Sequence, residues 1–277
     1  MKPIAKVYTA ILFLFLFAPI VIMLVFSFNS GNSLSVLSGF STYWYKELFH
    51  DANTLGALRN TLILALCAAI LSTIMGTAAA VGMNKLRSKY MKAAMNTVTN
   101  LPMVNPEIIT GISLMLLFVA YQRFATQSAW LPDNIMGLPT LLIAHIAFNV
   151  PYVIFNVSPK LKQLDIKLYE AALDLGCDPR QAFFKVILPE ISPAILSAFL
   201  ICLTYSIDDF MISYFNCGTV ETLPIAIYSM TRKKVSPEIY ALSTIMFVVI
   251  LSVILVSNAM ESRSYRRDQK TLRKEGA

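Results

Sequence analysis

Four stretches of the chain, residues 7–28, 60–84, 134–159 and 239–260, carry no charged side chain, and a fifth, 191–207, is uncharged until it meets Asp208 and Asp209 and resumes at Phe210. A transmembrane helix needs about 20 consecutive, mostly apolar residues, and each of these runs approaches or exceeds that length. A sixth run, 93–122, is interrupted by Pro102, Pro106 and Glu107. The run 7–28 is longer than a signal-peptide core and is followed by no small-residue cleavage site, so it counts as a span. The pattern predicts an all-α, polytopic membrane protein with six transmembrane helices.

Between the fourth and fifth runs the pattern changes to that of two short helices. Asp165 is placed to cap a helix over 166–175, Gly176 to end it in the left-handed region, and Asp178-Pro179 to start a second helix through Arg180 to Leu188. Ile166, Tyr169, Ala172 and Leu173 form its apolar side, with acids at Glu170 and Asp174. By pattern alone such a helix lies along a membrane surface.

Composition fits this reading. Of 277 residues 56% are hydrophobic and only 14% charged, against roughly a quarter charged in soluble domains. The net charge of +7 first suggests a polyanionic partner, and the position of the charges corrects that. With the N-terminus inside, 17 of the 23 Lys and Arg residues fall in cytoplasmic segments and 6 outside, the Arg232-Lys233-Lys234 cluster being the outlier. Cytoplasmic loops carry such an excess, so both termini are expected to be cytoplasmic. Cys67, Cys177, Cys202 and Cys217 form no C-x-x-C pair and read as packing residues. His145, alone in an apolar run, reads as a packing or hydrogen-bonding residue.

The short cytoplasmic helices carry a motif. Glu170-Ala171-Ala172, three residues, Gly176, nine residues, then Val186-Ile187-Leu188-Pro189 resembles the E-A-A motif of type I ABC importer permeases, departing from it only by Val186 in place of Ile. Ser27-Phe28-Asn29-Ser30, Trp44-Tyr45, Pro106-Glu107-Ile108-Ile109-Thr110-Gly111-Ile112-Ser113, Ser206-Ile207-Asp208-Asp209 and Ser236-Pro237-Glu238-Ile239-Tyr240-Ala241-Leu242 extend the likeness to the spermidine/putrescine importers, specifically their second permease subunit. The resemblance implies that Glu170, Ala171, Ala172 and Gly176 form a coupling helix docking on a separate ATPase. It also implies a heterodimer with a sister permease, two ATP-binding subunits, an extracytoplasmic polyamine-binding protein, and a bacterial plasma (inner) membrane location. The divisions expected are 1–57 as first helix and external loop, 58–257 as permease domain, and 258–277 as a basic tail. No phosphate-binding G-x-x-x-x-G-K-[ST] loop occurs in the sequence, so no cofactor is expected in this chain, and ATP and Mg belong to the partner.

Glu107, Asp208 and Asp209 are the acids that interrupt the spans. A charge at the bilayer centre costs about 2.5–3.5 kcal/mol even on lenient scales, and polyamines are cationic, so these carboxylates are candidates for a substrate pathway. A third span starting near Ala93 puts Glu107 14 residues on, about 21 Å along a helix and past the midplane. Asp208 shares a helix face with Thr204, Ile201 and Ser197, whereas Asp209 lies about 100° round. Asp208 is therefore expected on the pathway, with Asp209 toward a neighbouring helix or the external rim. The same divergence argues against a rival reading as an intramembrane aspartyl enzyme. Trp44 is either part of an interfacial aromatic belt or a cation-π contact for amines. Within the class, the alternatives are an importer of ferric iron or of a quaternary amine; outside it, a proton-driven transporter.

Overall fold

The computed structural model describes residues 3–33, 35–126, 135–232 and 237–275. In chain order its helices are α1 (Pro3–Phe26), α2 (Tyr43–His50), α3 (Ala52–Lys85), α4 (Lys89–Val104), α5 (Glu107–Ala125), α6 (Leu138–Gln163), α7 (Ile166–Asp174), α8 (Pro179–Ala182), a π-helical turn (Phe183–Ile187), α9 (Leu188–Asp208), α10 (Met211–Asn216), α11 (Leu223–Arg232) and α12 (Glu238–Glu275). Among the described residues no strand forms beyond a single bridge between Asn29 and Phe40. Six helical segments are long and apolar enough to cross a membrane: Ala5–Phe26, Ala52–Lys85, Glu107–Ala125, Leu138–Gln163, Pro179–Asp208 and Glu238–Val256. The six-span, all-α expectation holds. Lys233 and Lys234 of the basic cluster lie outside the described residues.

Two of the expected elements differ. The run 93–122 is not one helix: α4 stops at Val104 and α5 starts at Glu107. Pro102 lies inside α4, so the break belongs to Asn105 and Pro106, both with extended ψ, of 137° and 135°. A residue before proline is pushed out of the helical region, which explains the site of the break. The second short helix is not separate either, since Pro179–Asp208 is one continuous helical rod. Pro189 lacks the N–H and crowds the carbonyl four residues back. That carbonyl is Lys185, within the π-helical turn Phe183–Ile187, and the wider turn lets the helix pass the proline.

The chain divides into two compact units, Met1–Arg59 with Glu221–Leu251 and Asn60–Val220 with Ser252–Ala277. In the first, Leu48, Leu223 and Leu242 form a small core, and a polar knot fixes the loop between α1 and α2. Buried Asn29 receives Ser38 N–H at 2.8 Å and donates to the carbonyls of Val36 (2.8 Å) and Ser33 (3.2 Å). Trp44 Nε1 donates to the Asn29 carbonyl at 3.0 Å, and the Tyr45 hydroxyl pairs with Ser27 Oγ at 2.7 Å. The sequence blocks 27–30 and 44–45 are thus two halves of one structure.

In the second unit α6 is the central helix. Val153, Ile154, Val157 and Leu161 pack with Ala69, Ala80, Ile191, Ala198 and Cys202 of α3 and α9. Gly76 permits the approach of α3, since a Cβ there meets Val153 Cβ at 2.5 Å. Phe148 and Ala144, higher on α6, pack with Phe118 of α5 and Ile212 of α10.

Candidate functional site

The acids gather where two helices are interrupted. Glu107 is the first residue of α5, exposed, immediately after the Asn105-Pro106 break, and not inside a continuous helix. α9 ends at Asp208, and Asp209 turns extended with ψ of 120° before the short α10. The turn forms because the Asp209 carboxylate accepts the N–H groups of Ser213 (2.7 Å) and Ile212 (3.3 Å), closing the first turn of α10. Glu107, Asp208 and Asp209 lie close enough for their charges to interact.

Adjacent in sequence, the two aspartates have opposite surroundings. Asp208 is exposed on the chain, and Asp209 is buried with its Oδ2 3.5 Å from His145 Nε2. The same His145 nitrogen meets Ser213 Oγ at 3.0 Å. A Ser–His–Asp relay needs the acid on one ring nitrogen and the hydroxyl on the other; here both are at Nε2, so the trio ties α6 to α10 and does not build a nucleophile. Among the described residues no group of His, Cys, Asp and Glu is arranged to hold a metal ion.

A wider polar network supports this corner. Asn149 donates to Ser206 Oγ at 2.8 Å. The Asn216 side-chain amide donates to the carbonyls of Ile212 (2.9 Å) and Gly111 (3.2 Å), and the Asn216 backbone carbonyl accepts from the Thr140 hydroxyl at 2.9 Å. Gly111 allows α10 to lie directly on α5, since a Cβ there comes within 3.1 Å of the Phe215 ring and 3.2 Å of the Met211 carbonyl. Sequence reasoning missed these partners. The available signal was the recurrence of His145, Asn149, Tyr152 and Asn156 at helical spacing in an otherwise apolar run.

Trp44 is buried in the first unit, its N–H used by Asn29 and its ring edge-on to Tyr43.

At the other end of α6, α7 carries the E-A-A residues. Asp165 caps it by accepting Lys167 N–H at 3.0 Å. The helix ends in a Schellman turn, with Cys177 N–H on the Ala172 carbonyl (3.1 Å) and Gly176 N–H on that of Leu173 (2.9 Å). Gly176 has φ of +86°, and a Cβ there meets nothing within 4 Å, so its glycine serves conformation and not space. Ala172 is buried, while Glu170, Ala171, Leu168, Leu175 and Phe184 are exposed. The acidic residues and the E-A-A helix thus lie at opposite ends of the α6–α9 pair.

Residues 72–267 match the family model described as a binding-protein-dependent transport system inner membrane component. The chain is 41% identical over 237 residues to the putrescine transport system permease protein PotI of Escherichia coli K12, covering 84% of this chain and 82% of that one. It is 34% identical over 247 residues to the spermidine/putrescine transport system permease protein PotC of the same organism, covering 89% of each. Among solved structures, a bacterial ABC transporter involved in import of the acidic polysaccharide alginate superposes with a TM-score of 0.73 at 20% identity, covering 94% of both chains. That match speaks for the fold alone. With the E-A-A helix, the six spans and these relatives together, the chain belongs to the family of binding-protein-dependent transport system inner membrane components, the permease subunits of ABC importers.

Proposed function

We propose that this permease subunit imports polyamines, with Glu107 and Asp208 lining the pathway for their ammonium groups. The observation that carries the reading is that both carboxylates are exposed at helix breaks, and that Gly111 of α5 lies against the Met211 carbonyl of α10, which brings the helix that starts at Glu107 beside the turn that follows Asp208. Relatives that are putrescine and spermidine/putrescine permeases support the same substrate class. Asp209 and Trp44 hold structure: one caps α10, the other anchors the external loop.

In this reading residues 58–257 are the working permease domain, and the chain sits in a bacterial plasma membrane with both termini cytoplasmic. It pairs with a sister permease, two ATP-binding subunits that hold ATP and Mg, and an external polyamine-binding protein. α7 is the coupling helix: Glu170 offers a carboxylate to basic groups of the ATPase, exposed Ala171 allows close approach, buried Ala172 faces this chain, and Gly176 fixes its exit. Closure of the ATPase pair moves α7, and the rod Pro179–Asp208 carries that movement to Asp208.

Uptake of labelled putrescine and spermidine by proteoliposomes holding the full complex tests the proposal. ATP-dependent uptake that excess ferric iron or a quaternary amine leaves unchanged is expected. Uptake of either competitor in place of polyamines, or uptake without ATP, overturns it.

A further inference from the structure

Beside the acids, α6 and α9 bring aromatic rings together. Tyr152 and Tyr205 meet edge to face, centroids 4.8 Å apart and planes at 71°. Phe148 backs the pair at 5.2 Å from Tyr152 and 6.2 Å from Tyr205. Tyr152 packs on the cluster that holds Phe118 of α5, the helix that starts at Glu107, and Tyr205 stands three residues before Asp208, exposed. On its other side Tyr205 borders a cavity of about 300 Å³ whose wall includes Asn156, Ser197, Ile201 and Thr204, and none of whose lining residues is charged. Ser197, Ile201 and Thr204 share the face of α9 that ends in Asp208.

These neighbours divide the work of handling a flexible cation. Carboxylates hold ammonium groups. Ring faces and edges suit methylene chains and the C–H groups beside a charged nitrogen. The hydroxyls of Ser197 and Thr204 and the side-chain amides of Asn156 and Asn258 accept hydrogen bonds from an ammonium without neutralising it, and Leu200, Ile201 and Ile254 complete the wall, so the cavity admits the group and lets it go, as a conduction pathway requires.

We propose that Tyr152, Tyr205 and this neutral cavity form a chain-length subsite: the ring pair lies along the methylene chain of a polyamine anchored at Glu107 and Asp208, and the cavity takes the distal amine of the longer members. The subsite rests on the polyamine reading above, and adds to it the residues that select by length.

The test is uptake of putrescine and spermidine by the complete reconstituted complex, with KM and Vmax resolved. Tyr205→Phe keeps the ring and leaves KM near wild type. Tyr205→Met removes it at similar volume and raises KM for both amines about fivefold, with Vmax within about twofold. Ser197→Leu fills the cavity and lowers the spermidine-to-putrescine ratio of Vmax/KM about fivefold or more. Should either variant fail to reach the membrane, Tyr152→Met and Thr204→Val decide by the same readouts. A wild-type complex that takes up no polyamine overturns the assigned substrate and the subsite together. Polyamine uptake by the wild type, with KM unmoved in the Met variants or the ratio unmoved in the cavity variants, overturns the subsite and leaves the substrate standing. Wild-type uptake of putrescine with no spermidine uptake overturns the role of the cavity.

Discussion

The carboxylates of Asp208 and Asp209 predict opposite outcomes for the same substitution. Asp208 is exposed on the chain and, among the described residues, its carboxylate is seen bonding only its own backbone N–H, so Asp208→Asn removes a charge at little structural cost. Polyamine uptake is expected to fall about tenfold, equivalent to ~1.4 kcal/mol, while the purified complex keeps its thermal midpoint. Asp209 accepts two backbone N–H groups and faces His145 in a buried corner. Asp209→Ala leaves those donors and the imidazole without their acceptor, a loss on the order of 3 kcal/mol. It is expected to show as reduced yield and a lowered midpoint in detergent before any transport measurement. An Asp208→Asn complex that unfolds early, or an Asp209→Ala complex as stable as wild type, reverses the assignment.

Two helix ends carry predictions of their own. At the end of α7, Gly176 is left-handed with open space around it. Gly176→Ala therefore acts through the backbone alone, at about 1–2 kcal/mol, and is expected to weaken co-purification of the ATPase. Gly176→Asn, better tolerated in that region, is expected to recover it in part. A steric account predicts the reverse order. At the start of α3, Asp51 accepts the Thr54 hydroxyl at 2.5 Å and the Asn53 and Thr54 N–H groups. The Thr54 hydroxyl, and after it those N–H groups, hold its carboxyl below the ordinary carboxylate value against the opposing effect of burial. A lowered folded pKa stabilises above the unfolded value and loses that stabilisation as pH falls through the folded one. Hydrogen exchange at residues 52–55 is expected to be pH-independent in intrinsic protection near neutrality and to lose protection below about pH 4, a loss absent in Asp51→Asn, whose protection is already reduced at neutral pH. The elements themselves were largely legible in the sequence, because membrane spans are set by length and lack of charge, and helix starts by Asp165 and Asp178. The π-helical turn was not, since a proline ordinarily signals a boundary and its accommodation depends on how the preceding turn widens. Nor was the His145–Asp209–Ser213 corner, whose members are 64 and 68 residues from His145 and are joined only by packing.

At the scale of the whole molecule, the excess of basic residues on one side and the acids within the spans make a directional prediction. α6 starts at Leu138 beside the segment holding Gly218, whose Cα region abuts Met136 and Gly137, and ends at Gln163 just before α7. Residues around 217 and 137 therefore belong to one membrane face and α7 to the other. Cysteines mark both faces: Cys217 follows α10 and Cys177 follows α7, each partly exposed, while Cys202 is buried and Cys67 lies in the apolar body of α3. In a chain with Cys67→Ala and Cys202→Ala, a membrane-impermeant maleimide applied to intact spheroplasts is expected to label Cys217 and spare Cys177. Permeabilisation should then expose Cys177, and bound ATPase should protect it again, because it sits at the exit of the proposed coupling helix. Labelling of Cys177 in intact cells inverts the topology read from the basic residues. Labelling of Cys177 that bound ATPase does not slow leaves the topology intact and removes α7 from the ATPase interface, so the two readings fail separately.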